Sequence, residues 1–229
     1  MALPDRRTFA AHLLTVPYFA GIDPAAIREL VALAVWHEYA AGAVVFFEGD
    51  MNRGLYSVST GWVKLIKLST DGREQVLRYF GPGDVFNEIG IFLARPNPAS
   101  AIALEHCGLW QLPRETLQPL LAGQSAVLLR VIANMADRIA YLAELVANLS
   151  LLPVEVRLAR LLLDESTADI LSRQPWQTQA ELAARLGTVP DVLNRALRAL
   201  ATASLIRVEQ RQITILDRAG LAERALLPE

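Results

Sequence analysis

The sequence predicts an α+β chain in three parts: an antiparallel β-barrel or jelly roll, a long helix, and a small helical unit closed by a β-hairpin. Three observations carry that reading. Short strand-like runs punctuated by Gly, Asp, Asn and Pro fill the stretch from about residue 43 to residue 113. Apolar residues then recur at alternating steps of four and three from Leu128 to Leu149. Beyond them, two helix patterns meet at Gly187, and two short apolar runs follow at once. The parts are residues 1–123, 124–152 and 153–229.

The elements follow in order. "GIDPAAIRELVALA" opens a helix: Asp23 can cap it, Pro24 suits its first turn, and Ile27, Leu30, Val31 and Leu33 make an apolar stripe. "AVVFFEGD", "GLYSVSTG", "WVKLIKL", "EQVLRYF", "DVFNEIGIF", "SAIALE" and "GLWQL" read as strands, with a hairpin signal at Asp71-Gly72. After Pro113, "RETLQPLL" is a short helical piece. Leu128, Ile132, Met135, Ile139, Leu142, Val146 and Leu149 then form a seam with the 3.5-residue period of a coiled coil. A helix packed only on its own domain needs a wider stripe, so the seam predicts pairing of two such helices in a homodimer. Pro153 breaks the helix and marks a hinge. "VEVRLARLLLDES" is a helix and "STADILSRQP" a polar loop. "QTQAELAARLG" is a second helix ended by Gly187, and "TVPDVLNRALRALATA" a third. "LIRVEQ" and "QITILD" are strands joined by a tight turn at Gln210-Arg211, and Asp217 caps a last short helix.

Composition narrows the function. With 229 residues, 53% of them hydrophobic, the chain can bury two separate cores. A net charge of −2 gives no overall attraction to a polyanion, so any such partner must meet a local basic face. The single cysteine, Cys107, excludes a disulfide framework or an all-cysteine metal or iron–sulfur site within one chain, and it fits a reducing cytoplasm. No apolar run approaches the roughly 20 residues of a membrane span, so no membrane partner is expected. The start, "DRRTFAAHLL", pairs two arginines, but Asp5, His12 and Pro17 interrupt any export-signal pattern. No phosphate-cradling glycine motif, nucleophile elbow or histidine cluster is present, which argues against an enzyme.

The most specific pattern is "ELAARLGTVPDVLNRALRAL", two helices joined by a short turn containing glycine, the spacing of a helix-turn-helix. On the second helix Val189, Leu193, Ala196, Leu197 and Leu200 form the inward stripe. Asp191, Asn194, Arg195 and Arg198 share the opposite face. In a major groove Arg pairs with guanine, Asn with adenine, and a carboxylate accepts from cytosine. Arg207 and Arg211 on the following hairpin suit phosphates. From Gln177 to Leu216 there are five arginines against three acids. Thr188, which joins these residues as a DNA-binding candidate, is placed to cap the second helix with Asp191 as its partner, and Pro190 falls in the first turn, where a missing N–H does little harm. Three ordinary packed helices with a solvated charged face remain the alternative, but they leave the hairpin unexplained. Double-stranded DNA is the expected partner.

Strand-rich domain, seam helix and winged helix-turn-helix together resemble the Crp/Fnr superfamily of bacterial transcription regulators over about residues 14–218. "GLYSVSTGWVKL", "GPGDVFNEIGIF" and the helix-turn-helix stretch are the most specific parts. The resemblance implies a cyclic-nucleotide-binding-like sensor domain, a dimerisation helix and a DNA-binding domain. It also implies a palindromic operator, an effector, and RNA polymerase as a further partner. Arg195 stands at the family's main base-reading Arg, Asp191 at its base-reading Glu, and Pro190 replaces an Arg that contacts the operator. A lost bidentate base contact costs about 1–3 kcal/mol. The gap between specific and nonspecific binding is about 4–10 kcal/mol, so DNA reading is expected to persist with an altered half-site.

The sensing site departs further. The resemblance implies a Gly-Glu pair on the ribose and an Arg-Ser pair on the phosphate of cyclic AMP. Here Asn87 and Glu88, then Ala99 and Ser100, stand at those positions, while Leu142 and Ala143 replace a Thr-Ser pair that holds the base. A buried phosphate without a cation is costly. Arg95, in the nearby loop, is a substitute cation, with exposure at the surface as the alternative. The expected effector pocket is Asn87, Glu88, Arg95, Ala99, Ser100 and Leu142, with an effector other than cyclic AMP. No cofactor is expected; haem is the alternative, with His12, His37, His106 and Cys107 as its ligands. Two other readings stay open: a haem or small-molecule sensor acting mainly through protein contacts, and a constitutive DNA binder whose barrel is filled by its own apolar side chains. Control is expected through the seam or the Pro153 hinge, which sets the spacing of the two reading helices.

Overall fold

The computed structural model describes residues 5–16, 19, 21–89, 93, 95–122 and 125–226. Pro17, residues 90–92 of the run "DVFNEIGIF" and the expected boundary at 123–124 lie outside them. Contacts divide the chain into two units, Met1–Lys67 with Leu77–Ala140, and Leu68–Val76 with Tyr141–Glu229.

The first unit begins with α1 (Arg6–Thr15) and α2 (Pro24–Ala32). Asp23 Oδ1 accepts from Ala25 N at 2.8 Å, Pro24 opens α2, and Ile27, Leu30 and Val31 face inward as expected. Leu33 does not: it ends the helix and is exposed. Eight strands follow: β1 (Val35–Tyr39), β2 (Val44–Phe46), β3 (Gly54–Thr60), β4 (Val63–Leu68), β5 (Glu74–Phe80), β6 (Val85–Phe86), β7 (Ser100–Ala103) and β8 (Cys107–Pro113). They form two four-stranded sheets, ordered β1-β8-β3-β6 and β2-β7-β4-β5. The expected barrel or jelly roll is therefore present, with the Asp71-Gly72 reversal between β4 and β5. The sequence reading missed α1 and β1; in "VWHEY" no residue is fully buried, so the apolar signal of a core strand is lacking.

Each sheet supplies residues to one core. Phe46, Tyr56, Phe80 and Phe86 lie in contact between the sheets, with Phe80–Phe86 and Tyr56–Phe86 centroids 5.0 and 5.3 Å apart. Burial pushes the Tyr56 phenol up to about 12, so it stays neutral. A second core covers the other face of β3 and β8: Leu55, Trp110 and Leu112 meet Phe9, Leu13, Ile27 and Leu30 from α1 and α2. Phe9 stacks on Trp110 at 5.0 Å and Trp36 meets it edge-on at 5.1 Å. Trp36 fits because position 108 is glycine; a Cβ there would lie 2.2 Å from the indole. α3 (Arg114–Ala122) closes this layer with Leu117.

α4 (Ser125–Leu151) is the long helix, and the division between the units falls inside it. Pro153 ends it as expected and starts α5 (Val154–Glu165) from an extended backbone, φ −58° and ψ 155°. The second unit continues with β9 (Ile170–Ser172), α6 (Gln179–Arg185), α7 (Pro190–Thr202), β10 (Ile206–Val208), β11 (Gln212–Ile215) and α8 (Arg218–Arg224). Leu158, Leu162, Leu193, Leu200, Ile213 and Leu221 are its fully buried centre. The hairpin is in fact a three-stranded sheet ordered β10-β11-β9. The stretch "STADILSRQP" is thus not only a loop: Leu171 pairs with Ile213, and Ala168 and Asp169, at φ 50° and 62°, reverse the chain before it. Three residues with one buried side chain leave no readable periodicity.

Candidate functional site

The helix-turn-helix is built by caps and one left-handed glycine. Thr178 Oγ1 accepts from Glu181 N at 3.2 Å and starts α6. Gly187, at φ 62°, ends the turn; a Cβ there would sit 2.5 Å from Leu149 Cδ2. Arg185 at the end of α6 forks onto Glu165, which fixes α6 against α5. α7 then starts at Pro190 with Val189 as its N-cap and no side-chain cap hydrogen bond. The expected cap by Thr188 with Asp191 is therefore corrected: Thr188 lies one residue too early, and Asp191 is the second helical residue. Proline at the first position fixes the helical φ by itself. Val189 is also corrected from the buried stripe, being 42% exposed.

Leu193, Ala196, Leu197 and Leu200 are buried, which turns the opposite face of α7 outward. Asp191, Arg195 and Arg198 are exposed there and Asn194 is half-buried. Arg207 on β10 and Arg211 in the turn after it are exposed too. Among the described residues none of these four guanidinium groups is held in an ion pair or side-chain hydrogen bond. An arginine left without internal partners keeps all its donors for an external acceptor. The turn is the two-residue reversal expected, with Glu209 N bonded to Gln212 O at 2.9 Å. The sequence reading overlooked Arg173. It follows β9, donates from its backbone N–H to Arg211 O at 2.8 Å and from its guanidinium to Glu209 O at 3.0 Å, so it holds the hairpin tip. The position lay inside the stretch read as a loop, which hid it.

The seam residues of α4 divide. Ile132, Ile139, Leu142 and Val146 are exposed, as is Leu129, which the heptad pattern had not included. Met135 packs on the core beneath α1 and α2, and Leu128 and Leu149 are half-buried.

Of the expected effector residues, Glu88 lines a cavity of about 240 Å³ together with Thr15, Arg78, Asp84, Asn134 and Arg138. Glu88 is 1% exposed and its Oε1 accepts from Arg138 Nη2 at 2.5 Å. Asn87 holds φ 72°, a left-handed conformation that Asn tolerates where glycine is otherwise used, and its Nδ2 donates to Gly54 O at 3.2 Å. Ala99 is buried, and Ser100 Oγ accepts from Glu48 N at 2.8 Å, so its hydroxyl serves the backbone. Arg95 is exposed, and Leu142 belongs to the second unit. Asn134, Arg138 and Arg78 were not anticipated; Asn134 and Arg138 come from α4, far from the "FNEIGIF" run in sequence, and Arg78 from β5 just before it.

The four haem-ligand candidates are not brought into one group. His12 lies on α1, and His37 on β1 is 2.8 Å from Gln111 Oε1. His106 is 4.0 Å from Glu38. Cys107 is fully buried, its Sγ 3.1 Å from Trp62 O, and burial pushes its thiol up. Among the described residues no three His, Cys, Asp or Glu form a group able to hold a metal, and no helix is long and apolar enough to cross a membrane.

Comparison with known proteins agrees with this layout. Residues 36–124 match the cyclic nucleotide-binding domain family, and residues 156–224 the Crp-like helix-turn-helix domain. The chain is 29% identical over 213 residues to the CRP-like cAMP-activated global transcriptional regulator of Mycobacterium tuberculosis, covering 90% of this chain and 95% of that protein. It is 30% identical over 203 residues to the HTH-type transcriptional regulator Cmr of the same species, covering 89% of this chain and 80% of that one. FixK2 from Bradyrhizobium japonicum shares the fold, with a TM-score of 0.73 at 22% identity over 86% of this chain and 99% of that one.

Proposed function

The chain belongs to the Crp/Fnr superfamily of DNA-binding transcription regulators, and from that premise we propose that two copies bind a palindromic operator through α7 and the β10–β11 hairpin. The observation that carries the reading is the outward face of α7, where Asp191, Asn194, Arg195 and Arg198 stand over a buried apolar stripe. Arg207 and Arg211 add two cations for the phosphates. Dimerisation runs through the exposed apolar residues of α4, Leu129, Ile132, Ile139 and Val146. The two reading helices then meet half-sites about 34 Å apart, and the seam and the Pro153 joint set that spacing. The cytoplasm, where the DNA and RNA polymerase are, is where such a protein works.

Cyclic AMP held in the family's manner is not the signal. The Mycobacterium tuberculosis relative is described as cAMP-activated. Here Ala99 is buried where a cation is needed, Ser100 is bonded to Glu48 N, and Leu142 and Ala143 offer the base no hydrogen bond. An effector of another kind, in the cavity at Glu88 and Arg138, fits the first reading. A second reading, a binder that needs no effector, is favoured by the aromatic filling between the sheets. Haem would use His12, His37, His106 or Cys107, and their scatter gives it little support.

Selection of the ligand-free protein on a pool of random duplexes tests the proposal. A two-fold-symmetric site bound by two chains is the expected product. A pool that gains no preferred sequence, with or without cell extract as a source of effector, overturns it.

A further inference from the structure

We propose that each operator half-site carries a thymine read through its 5-methyl group by an apolar edge, Pro190 with Val189, at the leading end of α7. The inference rests on the DNA-reading function proposed above and names what its half-site contains. Val189 is 42% exposed although valine usually lies inside, and Pro190 beside it is exposed as well. Both precede Asp191 on the end of the helix that a helix-turn-helix presents to base edges. The Val189 cap position makes no side-chain hydrogen bond, and Thr188, the nearest hydroxyl, is half-buried. The leading edge is thus a pyrrolidine ring and an isopropyl group, with no donor or acceptor beyond the main chain.

Such an edge discriminates among base pairs by what it cannot do. Over a G·C pair it strips water from the O6, N7 and N4 groups and returns no hydrogen bond, which is the costly outcome for a polar group. The methyl of thymine is the one apolar feature of the major-groove edge, and it gains from contact. Both side chains are stiff, since proline fixes its own φ and valine strongly prefers one χ1, so little freedom is lost on docking. The preferred thymine lies beside the base pairs that face Asp191 and Arg195.

The test uses the full-length protein and the duplex selected as described above. Each thymine of the site is replaced in turn by deoxyuridine, which lacks only the methyl, and Kd is measured for the wild type and for Pro190→Ala. One symmetric pair of thymines should give about three- to fivefold weaker binding per methyl removed, and roughly tenfold or more for both half-sites. With Pro190→Ala the difference between thymine and uracil at that pair should shrink toward unity. A selected site at which no uracil changes Kd overturns the inference and leaves the DNA-reading function intact. So does a uracil penalty that Pro190→Ala leaves unchanged. Failure to select any site removes both.

Discussion

Asn87 shows how a residue can depart from a family pattern and keep its backbone. At φ 72° it needs a residue that accepts the left-handed region, and its amide adds a bond to Gly54 O. Asn87→Gly should therefore leave stability within about 1 kcal/mol, while Asn87→Val should lose on the order of 1–2 kcal/mol or more in urea unfolding. The sequence showed the exchange but not the φ. Glu88 was legible as a kept carboxylate, yet its partner Arg138, 50 residues away, was not. Removing Arg138 takes an ion pair away from a buried carboxylate. Arg138→Met should cost about 3–5 kcal/mol, with much of it regained in Glu88→Leu/Arg138→Met. Equal losses in the single and double variants would contradict the pairing. The raised Cys107 thiol holds a smaller thiolate fraction than a free cysteine at pH 8, so native protein should resist iodoacetamide and react once unfolded. Arg195→Ala should weaken binding to the selected operator by about 1–3 kcal/mol, and binding to a scrambled duplex much less; equal losses would refute base reading.

Among the elements, α4 separates what a pattern can and cannot specify. The spacing identified a long helix with a seam, and the helix is there from Ser125 to Leu151. Which stripe faces its own domain was not legible, because both stripes are apolar. Met135 and Val131 pack on the first unit's core, while Leu129, Ile132, Ile139 and Val146 remain outside. A charge at Met135 would therefore unfold the domain rather than split a dimer. Ile132→Glu/Ile139→Glu is the discriminating variant: it should sediment as a folded monomer with an unchanged thermal transition of the sensor domain. An unchanged dimer would remove the α4 interface. β1 and β9 were missed for a related reason. Each buries too few residues to alternate visibly, and pairing with β8 or β11 decides their conformation.

For the molecule as a whole, the sequence was most legible where local rules act. The strand-rich part, the break at Pro153 and the helix-turn-helix rest on punctuation and periodicity, and all three stand in the structure. The cavity at Glu88 was not legible, since Thr15, Arg78, Asp84 and Arg138 come together only through the fold. The aromatic packing between the sheets, from four different strands, was equally hidden. In the second unit, the proposed function is paired DNA reading by α7 and its hairpin. A salt titration under the conditions that selected the duplex, on that duplex and on a scrambled one, tests it. With two chains each offering Arg207 and Arg211, and up to two more arginines from α7, log K should fall with log salt at a slope of about −4 to −7. The selected duplex should bind at least about a thousandfold tighter throughout. Equal affinity for both duplexes, or a slope near zero, would contradict DNA reading by α7.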